Sequence, residues 1–195
     1  AAALAGVEAL KQAFKDGVDI HTLTASQVFD VPLDEVSSEI RRQAKAVNFG
    51  IIYGISGWGL AKQLGCEPGE ANDFIRRYLS KFSELQDFME SKKEEARKHG
   101  YVRTLYGRKC TIANINSKMG NLRQGAERQA INAPLQGTAA DIMKKAMIKM
   151  PSALEKAGLS AKMLLQVHDE LIFEVPENEL EKTSELVRNV MEGVA

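Results

Sequence analysis

Residues 38–53 constrain the fold most, because a single helical register accounts for almost every side chain in the stretch. Advancing by 100° per residue from Ile40 brings Ile40, Ala44, Val47 and Ile51 within about 60° of one another, a stripe fit for burial. Arg41, Arg42, Lys45, Phe49 and Tyr53 fall between about 100° and 220°, on the opposite side. Ser37 and Ser38 are N-cap residue types, and the pattern runs to about Tyr53-Gly54. A chain built around this helix lays its core on one side and leaves three cations and two aromatics on the other.

The remaining periodicities are also mostly helical. Leu4, Val7, Leu10 and Phe14 predict a helix that stops at Asp16-Gly17, and a shorter one is expected from His21 to Phe29. Pro68 and Gly69 open a long amphipathic helix with the stripe Phe74, Tyr78, Phe82, Leu85 and Met89, closed by Gly100. Tyr101 to Tyr106 reads as an extended or hairpin segment, and 107–120 as loop. A long helix then runs to about Met150, with Pro134 predicting a kink. The runs 163–167 and 171–175 predict a hairpin tipped by His168-Asp169-Glu170. The fold class is therefore α+β and mostly α-helical.

Composition agrees with a packed domain. The chain has 195 residues, 44% hydrophobic and 27% charged, room for one domain or a little more. No apolar run approaches the ~20 residues of a membrane span. Cys66 and Cys110 lack CxxC spacing and read as free thiols of a reducing compartment, and three histidines suit no ordinary zinc site. The start at Ala1 has neither an initiator Met nor a basic leader, so the chain is expected to be part of a longer one.

The outward side of 38–53 carries the chemistry. Arg41, Arg42 and Lys45 crowd the positive end of the helix dipole, which is unfavourable unless an anion binds there. Amides and cations at a helix N-terminus together make a phosphate site. Phe49 and Tyr53, one and two turns further on, offer flat surfaces for a base. The spacing describes a nucleotide laid along a helix; a solvated basic face with its aromatics packed on a neighbouring element fits the same periodicity.

The full string from Arg41 to Gly54, RRQAKAVNFGIIYG, resembles the fingers signature RRxxKxxxFGxxYG of family A DNA polymerases in their bacterial form. Asp19-Ile20-His21-Thr22, the stretch from Tyr101 to Arg108, the stretch from Ala126 to Asp141, and Gln166-Val167-His168-Asp169-Glu170 resemble further segments of that family, in its order. The resemblance implies a fingers subdomain with a palm β-hairpin remnant. Residues 1–36 would follow a first palm motif, 37–125 would form the fingers, and 126–195 the long kinked helix and palm hairpin. His21, Arg41 and Lys45 would hold the incoming triphosphate, Lys45 acting also in catalysis. Phe49 would pack on sugar and base, and Tyr53 near the template base. Arg128, Asn132, Gln136 and His168 would contact primer–template DNA, whose minor-groove acceptors differ little between base pairs. Asp169 would be a metal ligand and Glu170 an indirect one, in a two-metal Mg2+ site only partly present here.

The same resemblance implies a parent DNA polymerase of replication and repair that takes dNTPs and primer–template DNA. That parent would be cytoplasmic and nucleoid-associated in a bacterium, monomeric, and free of membrane contact. The family's upstream carboxylate segment, DYSQIELR, does not occur in this sequence. The isolated segment is accordingly expected to be inactive, with apolar palm surface uncovered. A non-catalytic nucleotide- or DNA-binding module derived from the same fingers is the alternative. Two departures are visible: Ser83 stands where the family often has Pro after an aromatic, and Cys110 with Ala113-Asn114 interrupts a usually more basic stretch.

Formal net charge is zero, with 26 basic and 26 acidic residues, yet the charges are segregated. Between Arg97 and Lys149 there are 11 basic and 2 acidic residues, whereas 166–195 hold 2 and 8. Neutral overall charge thus conceals a basic stretch suited to phosphates.

Overall fold

The computed structural model describes residues 2–195; Ala1, the expected point of connection to a longer chain, lies outside the described residues. The chain forms two compact units, one ending at Leu135 and the other running from Gln136 to the C-terminus.

The first unit opens with α1 (Ala2–Ala5) and α2 (Glu8–Lys15), where the sequence predicts one helix. Gly6, in the left-handed region at φ +72°, ends α1 and turns the chain so that Val7 is buried. Phe14, placed in the same apolar stripe by its spacing, is instead 63% exposed. α3 (Ile20–Phe29) and α4 (Ser38–Ile52) follow as predicted, then α5 (Gly57–Leu64).

The long helix expected from Pro68 to Gly100 is two helices, α6 (Pro68–Lys81) and α7 (Ser83–His99). Phe82 sits between them at φ −121°, ψ 61°, outside the helical region. Its ring is buried 4.9 Å from the Tyr78 ring, so the apolar stripe continues across the break and hides it. Val47 and Ile51 of α4 pack with Val28, Leu60, Tyr78, Phe82 and Leu85 in the main core.

After α7, β1 (Tyr101–Arg103) pairs antiparallel with β2 (Lys109–Thr111), so part of the expected 107–120 loop is strand. Val102 and Ile112 pack with Ala96, Ile115, Ala126 and Ala130 in a smaller core. α8 (Gly120–Lys156) belongs to both units. Pro134 is buried within it and deprives the Ala130 carbonyl of its helical donor; the units divide just beyond, at Leu135/Gln136.

In the second unit β3 (Lys162–Val167) and β4 (Glu170–Glu174) form an antiparallel hairpin with a bulge between Met163 and Leu165. Met163, Leu171 and Phe173 pack with Met150 and Leu154 and with Leu186, Val190 and Met191 of α9 (Leu180–Glu192). Leu164, Leu165, Val167 and Ile172 remain exposed. Cys66 and Cys110 are free thiols. Among the described residues no helix is long and apolar enough to cross a membrane.

Candidate nucleotide site

Ser37 caps α4, its hydroxyl accepting from the Ile40 amide at 3.2 Å. At the other end Ile55 N–H donates to the Gly50 carbonyl and Gly54 N–H to that of Ile51, a Schellman closure with Gly54 at φ +71°. The helix therefore stops at a defined turn, with Tyr53 as its C-cap residue.

Two of the three cations near its start, Arg41 and Arg42, already have carboxylate partners that offset the unfavourable dipole. Arg41 is held by Asp19 through two parallel bonds, Nε to Oδ1 at 3.1 Å and Nη2 to Oδ2 at 2.7 Å. Arg42 is held in the same fashion by Glu39, at 3.1 and 2.8 Å. Lys45 makes no hydrogen bond or ion pair among the described residues and is exposed.

Asp19 does two tasks. It caps α3, accepting from the Thr22 amide at 2.8 Å and the Thr22 hydroxyl at 3.0 Å, and it orients Arg41. The Arg41 guanidinium, with the Thr22 donors, holds its carboxyl far below the usual carboxylate range. His21, two residues later, is half-buried, and burial lowers its pKa; Asp19 opposes this, while Arg41 and Lys45 reinforce it.

Phe49 and Tyr53 lie nearly parallel, their ring centroids 6.3 Å apart at 11°, and are 47% and 45% exposed. The His21 ring is 5.7 Å from Phe49. The structure thus brings His21, Arg41, Lys45, Phe49 and Tyr53 to one side of the α3–α4 pair: Arg41 and Lys45 in the first half of α4, His21 beside Phe49, and two open aromatic faces toward the helix end.

Arg128 and Asn132 approach the far end of that side from α8. A Cβ added at Gly54 would lie 2.9 Å from Arg128 Cγ, so the arginine stem runs directly over the glycine. Asn132 Nδ2 donates to the Tyr53 carbonyl at 3.4 Å. Beneath them is a cavity of about 280 Å3 lined by Gly54, Ile55, Ser56, Gln124, Glu127 and Arg128, among others.

The other predicted residues belong to the second unit. Gln136 is exposed on α8. The hairpin turn is the two residues His168 and Asp169, with His168 at φ +52°; Glu170 already pairs with Val167, so the predicted three-residue tip is one residue shorter. Gln166 Nε2 donates to the His168 carbonyl at 2.8 Å and steadies the turn. His168, Asp169 and Glu170 are all exposed. Among the described residues no three His, Cys, Asp or Glu side chains gather to close a metal cage.

Sequence reasoning left Asp19, Thr24 and Asn48 out of the site. Asp19 stands directly before an apolar helical run, a recognisable N-cap position. Asn48 falls near 80° on the helix wheel, between the buried and exposed sides, where periodicity assigns no role.

The chain matches the model of DNA polymerase family A over residues 1–195. This chain belongs to DNA polymerase family A. It is 53% identical over 185 residues to the DNA polymerase I of Bacillus subtilis, covering 95% of this chain and 21% of that one. To the DNA polymerase I of Rhizobium leguminosarum it is 51% identical over 192 residues, 97% of this chain and 19% of the relative. Among solved structures, the POL domain of Pol1 from M. smegmatis, in complex with DNA primer-template and dNTP, superposes with a TM-score of 0.93 at 43% identity. That match takes in 100% of this chain and 34% of the other. The chain thus spans about one fifth of the length of these family A relatives.

Proposed function

We propose that this chain is the fingers and part of the palm of a template-directed DNA polymerase that adds dNTPs to a primer 3′-hydroxyl. The observation that carries the reading is the outward side of α4, where a guanidinium and an ammonium precede two stacked, exposed aromatic rings by one to three turns and an imidazole of α3 stands beside the first ring. That order of groups matches the order of parts in a nucleoside triphosphate.

In this reading Lys45 and Arg41, with His21, bind the triphosphate. Arg41 exchanges its Asp19 carboxylate for phosphate oxygens, a like-for-like bidentate acceptor. Phe49 packs against sugar and base, and Tyr53 lies beside the template base. Arg128, Asn132, Gln136 and His168 contact the primer–template duplex. Residues 37–125 act as fingers and 126–195 as palm elements, with 1–36 leading into them.

Asp169, assisted by Glu170, would hold Mg2+. Such ions stabilise the charge that develops on the entering and leaving oxygens of nucleotidyl transfer. Lys45, bound to the leaving phosphates, neutralises the charge that grows there.

The test is to exchange residues 1–195 for the matching segment of the full-length Bacillus subtilis DNA polymerase I and measure primer extension. Extension by that chimera, abolished by Asp169→Ala, is the expected outcome. A chimera that binds DNA and dNTP yet extends equally well with Asp169→Ala rules the reading out.

A further inference from the structure

Behind the exposed side of α4 lies a buried polar group that the binding of a nucleotide does not by itself explain. Asn48 is 4% exposed and Thr24 is fully buried. Thr24 Oγ1 donates to the Ile20 carbonyl at 2.8 Å, one turn back in α3. The hydroxyl also lies against both ends of the Asn48 amide, 3.1 Å from Oδ1 and 3.0 Å from Nδ2; with its proton on the closer Ile20 carbonyl, it accepts from Nδ2. The same Nδ2 also donates to His21 Nδ1, at 3.1 Å.

An amide N–H can be accepted at that position only by an imidazole nitrogen carrying a lone pair. The single proton of the ring is therefore on Nε2, the opposite edge. Were Nδ1 protonated as well, two donors would face each other at 3.1 Å, an unfavourable contact on the partly buried edge of the ring. The charged groups around the ring are Asp19 at the start of α3 and Arg41 and Lys45 on α4. Arg41 and Lys45 disfavour a third positive charge on the ring beside them, while Asp19 opposes that effect.

We propose that Asn48, oriented by Thr24, is a positioning residue that keeps His21 neutral with its proton on Nε2, so that the ring meets a triphosphate as a hydrogen-bond donor and not as a cation. The inference rests on the nucleotide reading given above and adds how one of its donors is set. The lowering of the His21 pKa by burial acts in the same direction.

The experiment uses the full-length chimera and two readouts. The first needs no nucleotide: histidine C2 deuterium exchange followed by mass spectrometry gives the titration of His21 in the free enzyme. Asn48→Asp places an acceptor beside Nδ1 and is expected to move that titration upward by about one to two pH units. Asn48→Leu, similar in shape but without a donor, moves it upward by less. An unmoved titration in both variants overturns the inference.

The second readout is KM for dNTP against pH. In Asn48→Asp, KM rises threefold or more as pH rises through the shifted His21 titration. The dependence vanishes in Asn48→Asp/His21→Gln. A KM raised equally at every pH marks a merely structural role and overturns the proposal. If His21 titrates as expected but His21→Leu, which removes the donor, leaves KM unchanged, the role toward the triphosphate fails, while the nucleotide reading stands or falls with Lys45 and Asp169. If His21→Leu raises KM while the Asn48 variants leave the titration unmoved, only the inference fails.

Discussion

Replacing Asp19 separates two interactions that share one carboxylate. The group accepts four hydrogen bonds, two from Thr22 at the start of α3 and two from Arg41 across on α4. Loss of an N-cap acceptor costs about 1 kcal/mol. The ion pair is roughly half exposed, 44% and 42% at the two side chains, so solvent screens it and it adds less than the cap. Asp19→Ala removes both; Asp19→Asn caps almost as well and removes only the pair.

The expected order of stability is therefore wild type, then Asn close behind, then Ala about 1 kcal/mol or somewhat more below. The carboxyl pKa is depressed in the fold. Its contribution is accordingly present above the unfolded carboxylate pKa near ~3.9 and fades as pH falls toward the folded value. Urea unfolding of the chain at pH 7 and pH 3, with hydrogen exchange of the α3 amides, measures this. The gap between wild type and Asp19→Ala should shrink at the lower pH, and α3 amides should lose protection first. Equal stability of all three proteins at pH 7, or a gap that widens in acid, would refute the reasoning.

Other expectations follow from single sites. Tyr78 is fully buried and its hydroxyl has no hydrogen-bond partner among the described residues, so Tyr78→Phe should be neutral or stabilising by up to about 1 kcal/mol in urea unfolding. Leu60→Ala, at a fully buried core position, should cost about 2–5 kcal/mol by the same assay. Gly54→Ala puts a side chain at φ +71° and 2.9 Å from the Arg128 stem. It should cost about 1 kcal/mol of stability and, in the chimera, weaken primer–template binding in fluorescence anisotropy.

What could be read from the sequence follows the range of each cause. α4 was legible in full, because its caps, its stripe and its exposed aromatics all lie within 18 residues. The hairpin of β3 and β4 was legible for the same reason, although its turn is one residue shorter than expected. The break at Phe82 was hidden because the apolar stripe continues through it at helical spacing. Ser83, where the family often has Pro, was the clue: it is the first residue of α7, the position that Pro favours in a helix. Gly6 acts in the same way on a smaller scale, its left-handed backbone ending α1 inside a regular pattern.

The site was legible as residue types and not as partners. His21, Arg41, Lys45, Phe49 and Tyr53 do share one side. The Arg41–Asp19 pair and the Asn48–His21 contact join residues 22 and 27 apart, and no periodicity announces them. Those contacts decide how the site is charged before anything binds. Arg41 is already matched to a carboxylate, and Lys45 is the cation on this side without an ion-pair partner among the described residues.

Lys45 is thus where the account is most exposed. In the full-length chimera Lys45→Ala should raise KM for dNTP tenfold or more, about 1.4 kcal/mol or above, while leaving primer–template affinity within twofold. An unchanged KM in a folded, DNA-binding Lys45→Ala chimera would contradict the claim that the outward side of α4 receives the triphosphate.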